Sequence, residues 1–263
     1  MHPAAPSPVR PPFGSERRNC LGSGASFGSE WRWAVIVIEK VLARGVASVE
    51  VFCDPPDAVL YPGEAQLITR AVDKRRREFR TVRHCARQAL RQLGLPPVPV
   101  LRGERGEPRW PADVVGSMTH CAGYRAAAVA HSRDFRAVGI DAEPHEPLPA
   151  GVLAVIARHE EQEHLRELAA ADRATCWDRI LFCAKETVYK TWFPLTHRWL
   201  GFEDATVTIN PGTTDPEQGC FSARLLVAGP TITGHPLIRL DGRWLRNHEF
   251  VITTVTLPAE RRA

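Results

Sequence analysis

Gly139-Ile140-Asp141-Ala142-Glu143 and Phe182-Cys183-Ala184-Lys185-Glu186-Thr187-Val188-Tyr189-Lys190 are the two stretches on which the reading of this chain turns. In the first, the apolar run Ala137 to Ile140 predicts a strand. Residues two apart on a strand point to one face, so Asp141 and Glu143 set two carboxylates side by side at its end. In the second, Glu186 and Lys190 are four apart on a predicted helix and share a face. Three carboxylates, with Lys185 and Lys190 beside them, suit a hard cation such as Mg²⁺ and a polyphosphate. Each pattern taken singly has a plainer meaning. D-x-E is most simply a solvated strand end, and an i,i+4 Glu–Lys pair a surface contact worth about 0.2–0.5 kcal/mol. The helix, however, also carries Leu181, Phe182, Ala184, Val188 and Trp192. It is therefore substantially buried, and charges on a buried helix need partners.

Outward from these stretches, Pro144-His145-Glu146-Pro147 keeps the chain extended after the carboxylate pair. Arg173 to Trp192 reads as one helix stopped by Pro194. Gly151 to Ala171 reads as another, with a polar middle. Gly63 to Leu93 has apolar residues at helical spacing (Leu67, Ile68, Ala71, Phe79, Val82, Ala86, Ala89, Leu90), with room for one break and with Gly94 as C-cap. Strands are predicted at Val46–Phe52, Val98–Leu101, Val114–Met118, Tyr124–Ala130 and Ala137–Ile140. Later ones fall near Thr206–Ile209, Phe221–Val227, Ile238–Leu240 and Phe250–Leu257. Helices and many short strands in each half give an α+β fold.

Composition narrows the class. With 44% hydrophobic residues in 263, the chain can bury a core. No apolar run approaches the ~20 residues that span a bilayer, and Ala34 to Ile38 is too short for a signal-peptide core. A cytoplasmic protein with no membrane partner is expected. The seven cysteines are odd in number, with no C-x-x-C pair, which argues against a disulfide framework or a structural zinc site. Cys121 and Cys183 fall inside the motifs but have no base paired with them and receive no role. Residues 1–30 are rich in Pro, Gly and Ser and read as a flexible tail, part of it from a start assigned upstream of the native one. Net charge is only +4, yet Lys74, Arg75, Arg76, Arg77, Arg80, Arg83, Arg87 and Arg91 gather on one predicted helix. Such a cluster expects an anionic partner.

A third stretch, Ser117-Met118-Thr119-His120-Cys121-Ala122-Gly123-Tyr124, completes a pattern. In order and spacing, S-x-T-H-x-x-G-Y, G-I-D-x-E and K-E-x-x-x-K resemble the Sfp-type 4′-phosphopantetheinyl transferases. Phe193-Pro194-Leu195-Thr196 and Arg198-Trp199-Leu200-Gly201-Phe202-Glu203-Asp204 extend the likeness toward the actinobacterial group. The resemblance covers roughly Val46 to Leu257. It implies a pseudo-dimer of two similar α/β subdomains, residues 31–137 and 138–263, with the active site between them.

It further implies transfer of the 4′-phosphopantetheine arm of coenzyme A to a serine of apo acyl or peptidyl carrier proteins, leaving adenosine 3′,5′-bisphosphate. Asp141, Glu143 and Glu186 would hold Mg²⁺, with Asp141 also near coenzyme A. Glu186 would take the serine proton and Lys190 would assist the leaving phosphate. Lys185 and Lys190, and Thr119 with His120, would contact phosphates. Arg75 and Arg83 would bind the 3′-phosphate end, and the Arg102-Gly103-Glu104-Arg105 loop would follow, through either Arg102 or Arg105. Trp199 and Leu200 are candidates for an apolar wall along the pantetheine arm. From its residues alone the chain also admits a Mg²⁺-dependent hydrolase of nucleotide pyrophosphates, or a nucleic-acid binder using the Arg-rich helix. Against the binder stand the modest net charge and the absence of interleaved aromatics. A monomer without nucleic acid is expected.

Overall fold

The computed structural model describes residues 37–232 and 234–259; the predicted tail at 1–30 lies outside them. In chain order the elements are β1 (Ala47–Val51), α1 (Asp73–Gln92), β2 (Leu101–Arg102), β3 (Pro108–Arg109), β4 (Val114–Cys121), β5 (Tyr124–His131) and β6 (Phe135–Pro144). Then come α2 (Val152–Ile156), α3 (His159–Ala171), α4 (Trp177–Thr196), β7 (Ala205–Pro211), β8 (Gln218–Leu225), the short pair β9 (Thr231–Ile232) and β10 (His235–Pro236), β11 (Arg239–Arg246) and β12 (Phe250–Pro258). Two antiparallel sheets, β1-β5-β4 and β6-β12-β11-β8-β7, make the α+β fold. The first is covered by α1, and α4 lies on β6 and β12. The sheets meet where β4 runs beside β6, and Ser117 Oγ donates to Ile140 O at 3.5 Å.

Local chemistry explains the two long helices. In α1, Phe79, Val82, Cys85, Ala86, Ala89 and Leu90 recur every three or four residues and are all buried. Asp73 stands in its first turn and Arg91 in its last, as the helix dipole favours. Gly94 ends it at φ +75°, with Leu95 N–H donating to Leu90 O and Gly94 N–H to Arg91 O, a Schellman closure. The single break expected in the preceding stretch falls between a 3₁₀ turn at Ala65–Ile68 and the start of α1.

Three boundaries differ from expectation. Helix α4 is not stopped by Pro194 but runs to Thr196. Pro194 leaves the Lys190 carbonyl without its i+4 donor, yet only the last turn is affected. His197 N–H closes that turn on Phe193 O at 2.8 Å, and His197 itself takes the left-handed conformation. The segment 151–171 forms two helices. Arg158 is extended, and its N–H is capped by Glu161 Oε2 at 2.7 Å, which starts α3 afresh. Instead of a strand at 98–101, only Leu101–Arg102 pairs, across a turn with Pro108–Arg109.

The fit of α4 on β6 depends on Gly139. A Cβ there would stand 2.1 Å from Thr191 Oγ1 and 2.6 Å from the Thr187 carbonyl. Gly139→Ala should therefore push α4 off β6 and cost about 1–3 kcal/mol, as overpacking does. Thermal denaturation followed by circular dichroism would show it as a lower Tm, and an unchanged Tm would refute this account of the packing.

Candidate active site

A cleft of about 910 Å³ opens between α1 and β4 on one side and α4 on the other. That volume is within the ~300–1,000 Å³ of small-molecule sites. Its basic wall is built by Arg75 and Arg83 of α1, by Arg102 of β2 and by Arg105, with Glu104, of the 103–107 turn. Gly103 shapes that turn, donating its N–H to Glu107 O at 2.7 Å, and is not itself on the wall. The opposite wall carries Glu186, Tyr189 and Lys190, while His120 lines the cleft from β4. Arg75 and Arg83, eight residues apart and about 80° apart in projection, both reach the same cleft.

Charge in the cleft is crowded and incompletely neutralised. The Arg83 guanidinium lies 3.3 Å over the Phe79 ring and donates Nε–H to Val100 O at 3.3 Å. Burial lowers its pKa to about 9. Glu64 opposes that shift, while Arg102, Arg75 and Arg87 add to it. An arginine so placed gains from an incoming anion. His120 contacts the Arg75 guanidinium through Nε2. Burial, then Arg75, Lys190 and Arg125, push its pKa down to about 4, so it is neutral at pH 7. Glu78, which sequence reasoning missed, lies 3.8 Å from Arg75 and 3.5 Å from His120. Its place one helical turn after Arg75 was the available signal.

The carboxylates lie inside β6, which runs on past the predicted Ala137–Ile140 to Pro144. Asp141 is buried. Its Oδ1 accepts from Lys190 Nζ at 2.7 Å and from Thr119 Oγ1 at 2.9 Å, while Oδ2 is buried without a well-formed hydrogen bond. Burial works against the Lys190 charge, yet Asp141 and then Glu186 raise its pKa above the usual lysine value. Glu186 is pushed up by burial and by Asp141. Glu143 is pushed up to about 7 by burial and by Asp141, against Arg179. Arg179 donates to Glu143 Oε2 at 3.0 Å and to the carbonyls of Glu146 and Pro147. It too was missed. Arg179, Glu186 and Lys190 fall at i, i+7 and i+11, one stripe of α4 readable from spacing alone.

Several of the expected residues are not on the cleft surface: Asp141 and Glu143 lie behind it in β6, and Lys185, Leu200, Trp199 and Thr119 are placed elsewhere. Lys185 is five residues from Lys190, about 140° around the helix. Its ammonium is 2.8 Å from Glu161 and donates to Phe202 O and Ala205 O, so it bolts α4 to its neighbours instead of reaching a phosphate. Leu200 is buried in the core around Trp192 and Trp244 and offers no cleft wall. Trp199 is 70% exposed, its ring 5.0 Å from that of Tyr189. Thr119 faces β6, its hydroxyl taken up by Asp141 and by the Ala142 N–H, and is not on the cleft surface. Burial pushes the Cys121 thiol up to about 12 and raises that of Cys183 well above the usual thiol value, which leaves both protonated.

The His120 environment sets a pH dependence. The folded state binds fewer protons than the unfolded state between about pH 4 and 6.5. Stability should therefore rise with pH across that window and be lost as pH falls through it. In His120→Gln that part of the slope should vanish in urea denaturation profiles. An unchanged slope would mean that the imidazole is not held neutral.

The chain matches two family models: the 4′-phosphopantetheinyl transferase N-terminal domain over residues 63–130, and the 4′-phosphopantetheinyl transferase superfamily over residues 137–224. It is 52% identical over 222 residues to the 4′-phosphopantetheinyl transferase Npt of Nocardia iowensis, covering 83% of this chain and 99% of Npt. Against PptT of Mycobacterium tuberculosis the identity is 51%, with 84% and 96% covered. Against Svp of Streptomyces mobaraensis it is 48%, with 85% and 90% covered. Half the residues are thus shared with named transferases over nearly their whole length, and the chain belongs to the 4′-phosphopantetheinyl transferase superfamily, the enzymes that move 4′-phosphopantetheine from coenzyme A to carrier proteins.

Proposed function

We propose that this transferase works with Mg²⁺ held by Asp141, Glu143 and Glu186, in a cleft between subdomains 31–137 and 138–263. The observation that carries the reading is the polarity of the cleft. Arginines gather on the α1 side, and Glu186 faces them, with the buried Asp141 carboxylate close enough to raise its pKa. The donor set is also what Mg²⁺ takes, a few hard carboxylates with phosphate and water completing the shell. Among the described residues no three acidic, histidine or cysteine side chains, these three carboxylates included, are gathered closely enough to hold a cation. A site completed by the phosphates of the substrate fits that arrangement. When bound, Mg²⁺ would offset charge on the pyrophosphate of coenzyme A.

The protein groups do the rest. Arg75 and Arg83 grip the 3′-phosphate end through planar guanidinium forks, with Arg102 or Arg105 beside them. His120, held neutral by burial and by Arg75, becomes a phosphate donor once anionic charge offsets Arg75 and Lys190. Glu186, raised by burial toward useful basicity, accepts the proton of the carrier serine hydroxyl. Lys190 reaches the cleft from its Asp141 contact and stabilises the departing phosphate of adenosine 3′,5′-bisphosphate. With both walls drawn from one polypeptide, a single chain suffices as the acting unit. The acceptors would be carrier domains of fatty acid, polyketide or nonribosomal peptide synthesis, whose acidic surface a basic cleft rim attracts.

Intact-protein mass spectrometry of an apo acyl carrier protein, incubated with the enzyme, coenzyme A and Mg²⁺, tests this reading. The carrier should gain one phosphopantetheine arm, and EDTA or Asp141→Ala should abolish the gain. Glu186→Gln should lower kcat about 10²–10⁴-fold, and Arg83→Ala should chiefly raise the KM for coenzyme A. Cleavage of coenzyme A with the carrier left unmodified would indicate a hydrolase instead. Unchanged transfer in EDTA would remove the Mg²⁺ assignment.

A further inference from the structure

We propose that Thr119 is a positioning residue, holding the Asp141 carboxylate so that one of its oxygens stays free for a divalent cation, and is not a phosphate ligand. The inference rests on the Mg²⁺ reading above. Thr119 and His120 are successive residues of β4, so their side chains leave opposite faces of the strand. His120 takes the face toward the cleft. Thr119 takes the face toward β6, where it is 2% exposed.

A hydroxyl has one hydrogen to give and two lone pairs to accept with. The Thr119 hydrogen goes to Asp141 Oδ1 at 2.9 Å, and a lone pair accepts the Ala142 N–H at 3.0 Å. Phosphate oxygens need a donor. To serve one, Thr119 would have to surrender a buried hydrogen bond to a carboxylate, which is among the stronger kinds. Lys190 Nζ donates to the same Oδ1, at 2.7 Å. Two donors therefore converge on one oxygen and fix the rotation of the carboxylate. The second oxygen, Oδ2, is buried without a well-formed hydrogen bond, the weakly interacting Cys183 thiol being the group set against the carboxylate, a costly state that a cation would relieve. The Ala142 bond anchors the hydroxyl to the β6 backbone between the two acids, so this support is built from the same strand that carries them.

The test separates cation from coenzyme. Thr119→Val keeps the shape and removes the hydroxyl; Thr119→Ser keeps the hydroxyl. Circular dichroism and Tm establish that each variant folds. Cation affinity is read directly by Mn²⁺ electron paramagnetic resonance with coenzyme A present. Coenzyme A affinity is read by calorimetry in EDTA. In Thr119→Val, Mn²⁺ affinity should fall about 10–100-fold, as when the supporting partner of a metal ligand is removed. Coenzyme A affinity in EDTA should stay within about twofold, and Thr119→Ser should restore the cation. The reverse pattern, weakened coenzyme A in EDTA with Mn²⁺ unchanged, would overturn the proposal and make Thr119 a phosphate ligand. If wild type binds no Mn²⁺, the Mg²⁺ reading fails with the cation half of this inference. The EDTA arm then still decides whether Thr119 touches phosphate. If Thr119→Val is too unstable to measure, Thr119→Ala takes its place, and lowered Mn²⁺ affinity with coenzyme A affinity in EDTA retained supports the proposal. Lowered coenzyme A affinity alone in that variant overturns it.

Discussion

Close contact between α4 and β6 at Gly139 is the constraint on which the site depends. Without a side chain there, Thr187 and Thr191 of the helix approach the strand backbone directly. Thr187 and Thr191 are one turn apart, so Gly139 sits beneath the helix, with Lys190 alongside and able to reach Asp141, two residues further along β6. A second tie, from Thr253 of β12 to the Cys183 carbonyl and the Thr187 hydroxyl, holds the helix in the same register. A bulkier residue at 139 would move the helix outward and break the charge geometry before it exposed any core.

Charged side chains in this protein fall into two populations. Glu161 with Lys185, and Glu64 with Arg87, are almost fully buried and fully engaged. Glu161 also caps the start of α3 and accepts the Val207 N–H. Glu64 also accepts the Val100 N–H, which fixes the chain entering the 103–107 turn. Breaking either pair would leave an uncompensated buried charge. These pairs set the cleft walls. The second population, Arg75, Arg83, His120, Glu186 and Asp141, keeps charge or hydrogen-bonding capacity in excess of what the protein satisfies. Unspent capacity of this kind, positive on one wall and negative on the other, is what a polyphosphate and its cation complete.

Arg179 links the two populations. It ties Glu143 to the carbonyls of Glu146 and Pro147, so the strand carrying the carboxylates and the loop leaving it move together. Lys190 on Asp141 and Arg179 on Glu143 come from the same helix stripe. Helix α4 therefore supplies both the cations that steady the acids of β6 and the acid, Glu186, that faces the cleft.

Much of this was legible in the residues. The acids of 139–143, the Glu186–Lys190 stripe, the Arg-rich α1 with its Gly94 closure and the α+β pattern all follow from periodicity and capping, which are local. The chain alone fixes which residues share a face of an element, because 3.6- and 2-residue repeats belong to the backbone. It does not fix what that face meets. Lys185 went to Glu161, 24 residues away, Thr119 to Asp141, 22 residues away, and Leu200 to the core, because the partners come from other elements. Pro194 was accommodated because a closing bond to Phe193 was available one residue beyond. The sequence by itself determined the chemistry on offer and the elements that carry it. Only the tertiary structure decided which charges are consumed in holding the walls and which are left open to a ligand, since that depends on contacts between segments whose distance along the chain carries no local signal.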